Sequence, residues 1–208
     1  MENFGPALLA RVGAAAPGVR LRFVRKPDRD SAALRDGSVD LETGIVGPTM
    51  PPELRAQALF RDRFIGVSRL GHGLSQVEIT PARYAAAQHI GISRRGLETG
   101  PIDEALMGLG LERAIVTVID DFSSGLALAR ASDLVASVPE RHTGTLRVGM
   151  HSFALPLALP AFTLSLLWHP RLEADQAHRW LRELVRQTCA TADDLGAQDP
   201  ASQSPDSQ

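Results

Sequence analysis

Phe162-Thr163-Leu164-Ser165-Leu166-Leu167-Trp168-His169-Pro170-Arg171 is the stretch that decides how this chain is read. An apolar, strand-like run ends at Trp168, and Pro170, which has no N–H to give a ladder, stops it. A helix-like segment follows, carrying Asp175, His178, Arg179, Trp180, Leu181 and Arg182. Both tryptophans of the protein lie here. The residues favour packing over chemistry. Trp168 is expected to end a buried strand, and Arg171 to hold nearby carbonyls or carboxylates. Asp175, His178 and Arg182, spaced by three and four, are expected to form a polar network on one helical face.

Upstream, helix and strand signals alternate. Phe4, Leu8, Leu9 and Val12 recur at helical spacing, so residues 4–15 read as a helix that Pro17-Gly18 stops. Val19, Leu21 and Phe23 alternate with Arg20, Arg22 and Val24, which predicts a strand over 19–25. Asp30 or Ser31 caps a short helix ended by Gly37, and strands are expected at 39–46 and 59–67. Thr80-Pro81 is an N-cap followed by proline at the first helical position. A strand at 89–93, a helix at 101–108, a strand at 114–118, a helix from Ser123 to Ala131 and a strand at 134–138 complete the series. This alternation predicts an α/β fold with mainly parallel sheets. From Thr191 onward the composition turns to Asp, Ala, Gln, Ser and Pro, so 191–208 is expected to be a disordered tail.

Composition narrows the function. The net charge of −2 argues against a nucleic-acid surface spread over the whole chain, because phosphate neutralisation needs a basic excess. The single cysteine, Cys189, permits no intrachain disulfide and makes a reducing cytoplasm the simplest compartment. No apolar run reaches the roughly 18 residues of a membrane span. Enzyme signatures fail. Gly91-Ile92-Ser93-Arg94-Arg95 lacks the second glycine of a nucleophile elbow. Lys26, the one lysine, follows no glycine of a P-loop, and the six histidines show no His-Glu-x-x-His spacing. No catalytic residue, metal or cofactor is expected.

In order and spacing, several pieces resemble the effector-binding domain of LysR-type transcriptional regulators. They are Pro6-Ala7-Leu8-Leu9-Ala10-Arg11 with Pro17-Gly18-Val19, Leu34-x-x-Gly37-x-x-Asp40-Leu41 with Gly44, Leu59 to Phe64 with Arg69 and His72, and Ser132-Asp133-Leu134-Val135 ending at Pro139. The opening Trp-His-Pro-Arg and its helix complete the set. The resemblance covers residues 4–188. It implies a fold similar to type-II periplasmic binding proteins, with two lobes joined by two crossover strands and a small-molecule effector between them. Residues 1–65 plus 151–190 would form lobe I and residues 66–150 lobe II. The family's first strand and its helix-turn-helix, through which promoter DNA is bound, have no counterpart before Met1. The resemblance further implies a homodimer, and tetramers in an intact regulator. The Ser-x-Arg-Gly loop and Trp-His-x-Arg resemble the branch that senses aromatic compounds such as hydroxybenzoates and flavonoids. A solute-binding protein of a transport system shares this fold and is the alternative. A hydrolase or transferase would need a nucleophile with a poised base, which is not seen.

In such folds ligands sit beyond the C-terminal ends of strands. That selects Thr43 and Gly44, then Ser93, Arg94 and Arg95, then Phe122 and Ser123 as candidate effector-binding residues. The serines offer hydroxyls, the arginines a bidentate partner for a carboxylate, Phe122 a stacking face, and the backbone at 123–125 an anion site at a helix start.

Overall fold

The computed structural model describes residues 3–26, 31–47, 50–93 and 99–196, with backbone only at 192–196. The chain divides into two compact units, residues 3–60 with 163 onward, and residues 61–162. The expected boundaries at 65/66 and 150/151 therefore fall within strands of the second unit.

The first unit begins with α1 (Gly5–Ala15) and α2 (Ala32–Asp36). Proline in the first turn of α1 has a φ already set for the helix. Gly37 closes α2 at φ +85°, a conformation that costs glycine little and other residues more. Strands β1 (Glu42–Ile45) and β2 (Arg55–Asp62) follow.

The second unit holds β3 (Phe64–Arg69), α3 (Pro81–Ala85), β4 (Gln88–Ile92), α4 (Pro101–Met107), β5 (Ala114–Ile119), α5 (Phe122–Ala131), β6 (Val135–Pro139) and β7 (Met150–Ala154). The chain then returns to the first unit through β8 (Phe162–Trp168) and α6 (Gln176–Gly196).

The first unit's sheet has the order β1-β8-β2, with β1 antiparallel to β8. The run Phe162–Trp168 is its central strand. Phe4, Phe60 and Cys189 form one small core in this unit, and Leu34, Leu54 and Leu167 another. The strand expected at 19–25 is absent. No other described strand pairs with it, and Val19, Phe23 and Val24 stay nearly half exposed. Apolar alternation creates a strand only where a neighbour completes the ladder. At the other end, α6 runs to Gly196, past the point where composition predicts a tail; residues 197–208 lie outside the described residues.

The second unit's sheet has the order β5-β4-β6-β3-β7. Only the pairs β4–β5 and β4–β6 are parallel; β3 runs antiparallel to both β6 and β7. The sheet is mixed, which corrects the expectation of mainly parallel pairing. All five residues of the central strand β6 are buried, so it shows no inside–outside alternation. On one face Ile65, Val67, Ile90, Ala136 and Val138 pack with Leu126 and Ala129 of α5. On the other, Val135 packs with Tyr84, Ile102 and Leu106.

The expected single strand over 59–67 is two. Arg63 separates β2 from β3, and the Asp62 carboxylate accepts the Arg63 N–H at 2.8 Å.

Candidate functional site

Strand direction gathers one set of loops at a single edge of the second unit. Because β4 is parallel to β5 and β6, the C-terminal ends of all three share that edge. Phe64 faces Pro139 and Ala154 faces Ile65, so the start of β3 and the end of β7 lie there too. Ser93, Asp120 to Ser123, Glu140 to Thr143, Arg61 to Arg63 and the segment after Ala154 therefore converge.

Two recesses open at this edge. One, of about 240 Å³, is lined by Arg61, Asp62, Arg63, Glu140, Arg141 and Ala161. The other, of about 160 Å³, is lined by Arg63, Phe64, Ile65, Ala154, Leu155, Leu157 and Leu159. Arg63 belongs to both.

The carboxylates of the first recess are already engaged. Asp62, 3% exposed, accepts the backbone N–H groups of Arg63, Arg141 and His142 at 2.8, 3.0 and 3.0 Å. Glu140 takes the Arg63 guanidinium in bidentate fashion at 2.6 and 3.2 Å. That contact, above all, holds the Glu140 carboxyl below its usual range. Burial pushes the Arg147 guanidinium below its ordinary pKa; it stays within reach of Thr143 Oγ1, Ser152 Oγ and the Glu140 carbonyl. Among the lining residues, Arg61, Arg63 and Arg141 against Asp62 and Glu140 leave the recess one net positive charge.

The sequence-selected residues fall differently. Ser93 follows β4 at this edge, and its N–H bonds Ile119 O at 2.7 Å. Phe122, the first residue of α5, packs on the core and meets the His142 ring edge-on at 6.0 Å. Ser123 does not open the helix; Asp121 is the N-cap. The Asp121 carboxylate accepts from the Ser124 N–H and from the hydroxyls of Ser123 and Ser124, each at 2.7 Å. The carboxylate expected at the start of α5 is thus the chain's own, and a second anion there would meet a like charge. Thr43 and Gly44 lie on β1 in the first unit, opposite Leu166 and Ser165. Arg94 and Arg95 lie outside the described residues.

Sequence reading missed Arg61, Asp62, Arg63, Glu140 and Arg141. The triplet Arg61-Asp62-Arg63 is visible in the sequence, but as strand. Also missed was a cluster in the first unit, where the Glu42 carboxylate engages both Lys26 and Ser31. Ser31 is buried at φ +55°, an uncommon conformation for a residue with a side chain. The isolation of Lys26 as the sole lysine was the available signal.

A family model described as the LysR substrate binding domain matches residues 2–190. The chain belongs to this family. Among similar proteins, the HTH-type transcriptional activator NagR of a Ralstonia species is 26% identical over 189 residues, covering 87% of this chain and 61% of NagR. The HTH-type transcriptional regulator SyrM of Rhizobium meliloti (strain 1021) is 33% identical over 193 residues, covering 90% of this chain and 58% of SyrM. The LysR domain described here thus spans less than two thirds of either relative's length. The solved regulatory domain of MexT, a transcriptional activator in Pseudomonas aeruginosa, superposes with a TM-score of 0.74 at 25% identity, covering 89% of this chain and 91% of that one. The relatives are transcriptional regulators and not enzymes, which favours an effector-binding LysR domain over a transport protein of the same fold. Among the described residues no helix is long and apolar enough to cross a membrane.

Proposed function

We propose that this LysR domain binds a small organic acid with an apolar, aromatic body. The observation that carries this is the pair of recesses meeting at Arg63, one rich in arginine and the other lined by Phe64, Leu155, Leu157 and Leu159. With Asp62 and Glu140 internally matched, the excess positive charge suits one carboxylate, received by Arg61 and Arg141. The leucine-lined recess suits a ring. Phe122, Ser93 and Ser123 are proposed to contact the effector from the same edge. Thr43, Gly44, Arg94 and Arg95 are proposed contacts on sequence grounds alone.

Effector binding in turn modulates transcription by shifting the population of subunit arrangements. Promoter DNA is held through a helix-turn-helix of the kind for which the HTH-type relatives are named. The protein works in the cytoplasm as a homodimer or tetramer.

A thermal-shift and calorimetric screen of aromatic carboxylates against their uncharged amides tests the ligand class. Acids are expected to bind and amides to bind at least tenfold more weakly. Arg141→Ala and Phe122→Ala are each expected to weaken the hits. Equal binding of acid and amide, or no change in either variant, would sink the assignment.

A further inference from the structure

We propose that Asp62 is a positioning residue for the effector. The proposal rests on the acid-binding reading above and adds the group that sets the geometry of its arginine. Asp62 is buried, yet its carboxylate faces three backbone donors. Two of them, the N–H groups of Arg141 and His142, lie 79 and 80 residues along the chain. Their side chains are the ones that matter at this edge: Arg141 lines the recess, and the His142 ring meets Phe122.

A buried carboxylate is costly to keep unless donors replace its water. Simple attachment of this loop to β3 does not require one. The Glu140 N–H already bonds the Arg63 carbonyl at 2.9 Å, and the Arg63–Glu140 pair bridges the same segments. What Asp62 adds is orientation of the two peptide groups after Glu140. Its Oδ1 takes Arg63 and Arg141, and its Oδ2 takes His142. These bonds also stand in for the water that the buried carboxylate has lost. An asparagine has one acceptor oxygen and two donors in its place, so it cannot satisfy the same set.

The test uses this chain with Asp62→Asn and, as the more severe change, Asp62→Ala. Amide hydrogen exchange at Arg141 and His142 is expected to rise at least tenfold in Asp62→Ala, with Val138 in β6 unchanged. In Asp62→Asn the rise is expected chiefly at His142. Benzoate, titrated by calorimetry, is expected to bind roughly tenfold more weakly to Asp62→Asn. In an Arg141→Ala background the same change is expected to cost less than twofold, because a positioning residue acts through its target. A merely structural role would leave the two losses multiplicative. Unchanged exchange at residues 141 and 142, or multiplicative losses, overturns the proposal. If the wild-type chain does not bind benzoate, the acid reading fails and the effector role of Asp62 fails with it, whereas unchanged exchange at residues 141 and 142 in a chain that does bind benzoate overturns the Asp62 proposal alone.

Discussion

The guanidinium of Arg171 donates a 2.7 Å hydrogen bond to the carbonyl of Leu34, 137 residues away, and its other terminal nitrogen reaches the Arg35 carbonyl at 2.7 Å. Arg171 thereby satisfies carbonyls that α2, only five residues long, leaves without helical partners. Arg171→Ala is expected to lower stability by about 2 kcal/mol, as two charge-assisted bonds are lost. Arg171→Lys should recover less than half, because an ammonium lacks the planar fork that reaches both carbonyls. Urea unfolding midpoints of the three proteins decide this.

Gly66 lies under Phe153. Its place on β3 faces Phe153 of β7, and a Cβ there would overlap the phenyl ring. Gly66→Ala is expected to cost about 1–3 kcal/mol through forced displacement of the ring. Phe153→Leu in the same chain should return part of that loss. A double variant no more stable than Gly66→Ala alone would place the strain elsewhere.

Two ion pairs of the second unit should differ in worth. Arg113 and Asp103 have side chains 7% and 19% exposed, and Arg113 also reaches Tyr84 Oη at 3.4 Å. Arg63 and Glu140 are 62% and 37% exposed. Asp103→Ala leaves a buried guanidinium without its carboxylate and is expected to cost about 3 kcal/mol or more. Glu140→Ala is expected to cost about 1 kcal/mol or less, since water and salt screen the pair. Denaturant unfolding of both variants, repeated at high salt, separates them: only the Glu140 effect should shrink.

His89 is fully buried, and its Nε2 lies 2.7 Å from the Tyr84 carbonyl, while Nδ1 has no partner among the described residues. The imidazole is therefore neutral, with its proton on Nε2. Burial pushes its pKa down to about 4. The folded pKa lies below the unfolded one, near 6.5, so between these values the unfolded chain binds more protons. Stability is full above about pH 6.5 and falls as pH drops toward 4, by roughly 3 kcal/mol from this group. His178 shifts in the same direction, chiefly through burial, and its Nδ1 lies 2.7 Å from Arg182. In His89→Phe the slope of stability between pH 6.5 and 4.5 should flatten. A slope equal to wild type would assign the acid sensitivity to other groups.

Local chemistry was legible wherever a residue acts on its own neighbours. The Thr80 hydroxyl caps α3, Gly37 closes α2, and Trp168 ends a buried strand, as their sequence contexts predict. The polar helical face also formed, but its reach was not foreseen. Arg182 lies 4.6 Å over the Trp168 ring, and holds the carbonyls of Leu172 and Glu173. Trp168 in turn donates to the Glu173 carboxylate at 2.7 Å.

Helix periods, turn residues and the order of family-like segments depend on neighbours a few positions apart, so the chain's letters carry them. They sufficed for the α/β class and for the family. The pairing of strands does not travel that way. Residues 19–25 alternate like a strand yet have no described partner, and three of the five strands in the second sheet meet antiparallel. The candidate site depends on pairing entirely. Asp62 looks like one charge within a strand until β3 and β6 lie side by side and bring the N–H groups of Arg141 and His142 to its oxygens. Hydrogen bonds act over about 3 Å of space whatever the separation in sequence, so that recess came into view only with the folded chain.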